Sequence, residues 1–188
     1  HTYTHISRSL FLKGVQCHKA LFLAFHEPHL RKEPSLSRTI LRRSTLSVFE
    51  EVRRTFPGLV LCPGDGDDNP ETRAHWTFLT MNNGVTAIEG AVFVNDGISA
   101  RTDIITRGKE GGWALYGVKG STKVKEIYRI DCAFQQRAME RAGVPPCGTW
   151  LIIPDNRYVR HDVLDPLKLF RYIDVTDDAR RRAGWVDD

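Results

Sequence analysis

Asp103 and Lys119 form the pattern with the clearest chemical meaning in this sequence. Asp103 stands beside Ile104 and Ile105 in a segment that reads as strand, and Lys119 closes the next strand-like run, WALYGVK. Side chains alternate along a strand, so positions 117 and 119 share one face and Val118 takes the other. A carboxylate at 117 would set a metal ligand beside an ammonium group. That acid and Asp103 would bind Mg²⁺ or Mn²⁺, and the Val118 carbonyl oxygen is a further hard donor. Lys119 would orient an attacking water or stabilise the charge that builds on a phosphorane-like transition state. Position 117, however, is glycine. An Asp and a Lys on neighbouring strands are also commonplace structural contacts, and spacing alone leaves both readings open.

The elements that must position this pair follow from periodicity. Residues 8–26 carry apolar side chains at helical intervals interrupted by Gly14, which predicts a short helix or turn followed by a helix. Residues 36–55 read as a helix stopped by Phe56-Pro57-Gly58, and LVLC (59–62) as a short strand. Residues 70–81 predict a helix closed by Asn82-Asn83-Gly84. Two strand-like runs, 87–94 and 98–106, flank Asn95-Asp96-Gly97, a strong hairpin signal. After a turn at 107–112 come a strand at 113–119, a long helix at 123–142 and a strand at 149–153. That order predicts an α/β sandwich around a mixed sheet, with strand 149–153 parallel to strand 113–119. A short strand at 158–163 and a mixed, partly helical tail at 165–188 complete the reading.

The whole chain, 1–188, reads as a single domain: a basic helical part (1–60), a core sheet with its crossover helix (85–160) and a tail (165–188). Residues 1–55 hold ten Lys/Arg against four Asp/Glu, a local excess that suits a polyanion or a solvated helix surface. Hydrophobic residues at 41% and charged residues at 27% match a soluble globular protein. No apolar run reaches membrane-spanning length and no signal pattern opens the chain, so the expected address is cytoplasmic, with no membrane partner. His1, standing where Met would, reads as a cut point. The cysteines at 17, 62, 132 and 147 form no CxxC pair, which predicts reduced structural thiols.

Other clusters carry less. Asp65, Asp67 and Asn69 alternate like the opening of a calcium loop, but Pro70 holds the place that needs Gly and Trp76 the place of the closing Glu. An acidic turn is expected instead. His26 and His29 are separated by Pro28, so they and His18 read as surface residues. The four tryptophans are spread out and read as core or partly buried.

Five ordered segments together resemble the PD-(D/E)XK nuclease superfamily, in its RecB-like branch, over roughly residues 8–175. FLKGVQCHKALFL resembles that branch's Gly-x-x-Cys-Pro-x-x-x-Trp opening, with His18 in place of Pro. IEGAVF (88–93) resembles its Glu-containing strand, ARTDII (100–105) its metal-binding Asp motif, and GVKGSTKVK (117–125) its Glu-Val-Lys-Ser-Ser-Thr motif. DCAFQ (131–135) is similar to the helix whose Gln contacts substrate or braces the site. The resemblance implies a restriction-endonuclease-like αβ sandwich and metal-dependent phosphodiester hydrolysis, with DNA as the expected partner and RNA as the second candidate. It makes Asp103 a metal ligand, Lys119 the catalytic lysine and Gln135 the bracing residue. It offers Glu50, with Glu51 second, as the upstream acid on the metal. Arg101, Ser121, Thr122, Lys123 and Lys125 would contact the nucleic-acid backbone.

Gly117 departs from the motif glutamate. Either Glu89 or Glu126 moves in to replace it, or the chain binds nucleic acid or a protein partner without cutting. The branch often carries an iron–sulfur cluster on one N-terminal Cys and three C-terminal ones. Cys17 matches the first, but Cys62, Cys132 and Cys147 lack the close spacing, so no cluster is expected.

Overall fold

The computed structural model describes residues 5–30, 36–64, 69–95, 97–160 and 162–187, with the side chains of 36–43 outside that description. The expected acidic turn around Asp65 and Asp67 falls outside it. The Ser7 hydroxyl accepts a hydrogen bond from Leu10 N and starts α1 (Arg8–Gln16). Extended backbone at Cys17 (φ −164°) separates α1 from α2 (His18–His26). Two helices with a break therefore form as expected, but the break falls at Cys17 and Gly14 lies inside α1. Helix α3 (Leu36–Arg53) ends just before Phe56-Pro57-Gly58. Helix α4 (Pro70–Asn82) begins with Asn69 as its cap and Pro70 in its first turn, where a missing N–H costs nothing.

The main sheet has six strands: β2 (Leu59–Leu61), β3 (Ala87–Glu89), β6 (Ile104–Arg107), β7 (Trp113–Val118), β8 (Gly148–Pro154) and β9 (Phe170–Asp174), neighbours in that order. Strand β8 runs parallel to β7 and pairs Gly117 with Leu151, as the strand–helix–strand order predicts. Helix α5 (Glu126–Arg141) is the connection. The result is an α/β sandwich. On one face α5 packs Phe134, Ala138 and Met139 against Ile88, Ile105 and Leu115, joined by Phe11 of α1 and Phe78 of α4. On the other, Val52 of α3 meets Ile104, Val118 and Ile152. Val118 and Leu115 thus lie on opposite faces, as the period of two requires.

Three departures from the sequence reading have physical causes. The two long strand runs around the Asp-Gly turn are each broken. The halves next to the turn, β4 (Val92–Asn95) and β5 (Ile98–Arg101), form the expected hairpin in a separate sheet with β1 (Ile6–Ser7), while the halves away from it stay in the main sheet as β3 and β6. Gly90, at φ +73°, is the bend. The pairing continues through it, with Gly90 N donating to Asp103 O and Thr102 N to Ala91 O. Asp103 therefore sits at the bend before β6 rather than within a strand.

Second, the strand expected at 158–163 is absent among the described residues. Tyr158 instead accepts a hydrogen bond at its hydroxyl from Asp165 N, which ties the loop to the start of α6 (Pro166–Leu169). The last strand is β9, followed by α7 (Thr176–Ala183). Third, Trp185 is 58% exposed, its ring under the Arg182 guanidinium.

Phe134 is fully buried and stacks on Phe11 with ring centroids 4.6 Å apart. Phe134→Ala is expected to cost about 3–5 kcal/mol in urea unfolding. A loss under about 1 kcal/mol would show that this face of α5 is not the core contact described.

Candidate functional site

The antiparallel register of β6 and β7 pairs Ile104 with Tyr116, so one step further Asp103 comes opposite Gly117. Lys119 follows β7 directly and projects toward α5, as Gly117 does. The Lys119 Nζ donates to Asp103 Oδ2 at 2.9 Å. Val118 N donates to the same oxygen at 2.9 Å. Gln135, on α5 and fully buried, accepts from Asp103 N at 2.9 Å through Oε1. The three central residues expected from the sequence, Asp103, Lys119 and Gln135, are therefore brought together.

Two residues that spacing did not single out close the cluster. Asp131 of α5 accepts from Lys119 Nζ at 2.5 Å. Arg8, the first residue of α1, reaches Asp131 with Nε and Nη2, each at 2.5 Å, and Asp103 Oδ1 with Nη1 at 2.6 Å. The same Nη1 also donates to Arg101 O. Two carboxylates and two cations thus form one balanced quartet. Asp103, Lys119 and Asp131 are buried, and Arg8 keeps 22% of its side-chain exposure, so one side of the quartet meets solvent.

Burial opposes every charge here, and the partners outweigh it. Arg8 and Lys119 hold the Asp103 carboxyl well below the usual range, and Lys119 and Arg8 do the same for Asp131. The two carboxylates in turn raise Lys119 and Arg8 above their ordinary values.

At Gly117 a Cβ would stand 2.5 Å from Cys132 Sγ and 3.8 Å from Lys119 Nζ. The direction is the one a carboxylate beside Lys119 would need, but the sulfur of Cys132 fills the space. Burial pushes the Cys132 thiol up to about 12 against the pull of Lys119, so it stays a neutral filler. Neither replacement acid moves in. Glu89 is held by Arg53 of α3 through two bonds, at 2.6 and 2.7 Å, on the Ile104 face of the sheet. Glu126 pairs with Arg182. Glu50 is exposed and adds its charge to the surroundings of Arg53, so the structure does not bring it to Asp103.

The donor set does not suit a divalent cation. Both Asp103 oxygens are already engaged, one by a guanidinium and the other by an ammonium and a backbone N–H. A hard cation there would face two fixed positive charges, and the second acid, Asp131, is itself taken by the same Lys119 and Arg8. Among the described residues no group of three or more His, Cys, Asp or Glu converges as a metal site. The four cysteines are free thiols, with Cys62 and Cys132 buried.

The expected backbone-contacting residues sit mostly in the loop between β7 and α5. Ser121 and Lys123 bond to each other, Arg171 Nη2 donates to Thr122 O, and Lys125 begins α5 with its ammonium 5.7 Å from the Tyr128 ring centre. Lys123 and Lys125 are exposed. Arg101 stands apart, at the end of β5.

The quartet fixes the pH response. Asp103 and Asp131 have lowered folded values, so their stabilisation is complete above the ordinary carboxylate pKa of about 4 and is lost as pH falls through the lowered ones. Lys119 is raised, so its share is complete below about 10.4 and is lost as pH rises through its folded value. Asp131→Asn is expected to cost about 3–5 kcal/mol at pH 7 in chemical denaturation and to flatten the acid-side decline. An unchanged profile would mean that the quartet holds nothing together.

A scan against protein-family models finds no match, and neither does a search of curated proteins.

Proposed function

We propose that this chain is a nuclease-like protein that binds nucleic acid, DNA foremost, without cleaving it. One observation carries the reading: the carboxylate expected to face Lys119 is replaced by Gly117 and the Cys132 sulfur, while Arg8 and Asp131 close the remaining charges into a neutral quartet. Catalysis by a bound cation needs open acidic ligands. Here each acid is already matched to a cation of the chain.

What remains fits the holding of a phosphate backbone. Gln135 and Val118 N fix Asp103, Asp103 and Asp131 hold Lys119, and Lys119 leads into the loop that exposes Lys123 and Lys125. Lysines on a pinned loop contact phosphates without reading bases, so affinity should fall steeply with salt.

Fluorescence anisotropy of the full chain with single- and double-stranded DNA and with RNA, over a KCl series, tests the reading. Binding with a negative salt slope is expected. Lys123→Glu with Lys125→Glu should weaken it and reduce the slope by about 2. In the same mixtures with Mn²⁺, no shortened product is expected. Mn²⁺-dependent cleavage that disappears in Lys119→Ala would overturn the non-cleaving reading, and no binding at low salt would sink the nucleic-acid reading altogether.

A further inference from the structure

A cavity of about 560 Å³ opens where the two sheets diverge, between α1, α3, the start of α4 and the β3–β6 bend. That volume lies in the range of small-ligand sites. Four arginines line it, Arg8, Arg53, Arg73 and Arg101, against two carboxylates, Glu89 and Asp103. Both carboxylates are already matched, Glu89 by Arg53 and Asp103 by Arg8 and Lys119. With Arg8 and Arg53 matched in this way, the other guanidinium groups of the lining are those of Arg73 and Arg101. Burial raises the Cys62 thiol, and the fields of Arg101 and then Arg73 oppose it, so both guanidinium groups lie near that thiol.

Arg101 is the group this arrangement leaves over. Among the described residues its guanidinium has no hydrogen-bond or ion-pair partner, and it is held in place by shape. A Cβ at Gly90 would meet its Nε, Nη2 and Cζ at 2.6, 2.8 and 3.0 Å. Gly90 also has φ +73°, so glycine serves both the bend and the seat of the arginine. A planar fork with its donors unspent is suited to a phosphate. Across the cavity the lining is apolar, from Leu12 of α1 and Leu46 and Phe49 of α3. An aromatic ring beside aliphatic side chains suits the face of a base.

We propose that this cavity holds one nucleotide, with its phosphate on Arg101 and its base against Phe49 and Leu46. The proposal rests on the nucleic-acid reading above and specifies which part of the ligand is gripped. The nucleotide is either free or the phosphorylated end of a strand, and the two have the same contacts.

The test uses the full chain. Calorimetric titration compares deoxyadenosine 5′-monophosphate, deoxyadenosine and inorganic phosphate. Anisotropy compares one oligonucleotide with a 5′-phosphate and with a 5′-hydroxyl. The monophosphate is expected to bind about tenfold tighter or more than either deoxyadenosine or inorganic phosphate, and the 5′-phosphorylated strand about tenfold tighter or more than its 5′-hydroxyl counterpart. Arg101→Gln should erase that preference, with circular dichroism confirming the fold. Gly90→Ala should weaken it too, because the arginine loses its seat.

Preference for the phosphorylated strand supports the proposal with a strand end as ligand. Monophosphate binding with no strand binding supports a free nucleotide and overturns the nucleic-acid reading. Strand binding indifferent to the end phosphate, or a preference that survives Arg101→Gln, overturns the cavity proposal and leaves the nucleic-acid reading standing. No binding of any probe overturns both.

Discussion

Four charges buried against one end of α5 decide what the rest of this molecule can do. Arg8, Asp103, Lys119 and Asp131 come from α1, the β5–β6 bend, the end of β7 and α5, and none is stable inside the protein alone. An isolated buried charge costs several kcal/mol, whereas a closed set with well-placed hydrogen bonds recovers most of that penalty. Geometry allows the closure. The Arg8 fork is bidentate on Asp131, and its Nη1 spans to Asp103, while the Lys119 ammonium bridges the same two acids. Gln135 braces the set by accepting from Asp103 N and by donating back to Asp131 O.

The same closure limits the chemistry. A hard divalent cation needs oxygens with free lone pairs and a net negative environment. The quartet supplies carboxylates already engaged and a net charge of zero. The glycine at 117 and the cysteine at 132 are one feature, because the sulfur takes the volume that a side chain on β7 would enter beside Lys119. A carboxylate introduced at 117 alone would collide with that sulfur before it reached the lysine. Beside Lys119, the place where the sequence reading expects an acid is thus filled by the Cys132 sulfur.

Much of this was legible in the sequence, for identifiable reasons. The Asp-Gly turn, the alternation in WALYGVK and the 3.6-residue spacing in α5 are local signals, and they placed β7, α5, β8 and the shared face of 117 and 119 correctly. Asp131 was within reach of the same reasoning, since it lies four residues before Gln135 and so shares its helix face. Arg8 was not, because its partners are 95 and 123 positions away and no pattern near it encodes them. The break of both long strand runs was missed for a related reason. Gly90 reads as an ordinary strand glycine until its φ of +73° and the divergence of two sheets are seen together. Glu50 is the converse case, an exposed acid of α3 whose charge acts on Arg53 and not on Asp103.

The central claim is that the buried acids are taken by Arg8 and Lys119 and are not open to a metal. Electron paramagnetic resonance of Mn²⁺ titrated into the full chain tests this most directly. The quartet predicts that the free Mn²⁺ signal rises in proportion to added metal, with no site filled at micromolar concentration. One saturable site that vanishes in Asp103→Asn would contradict it.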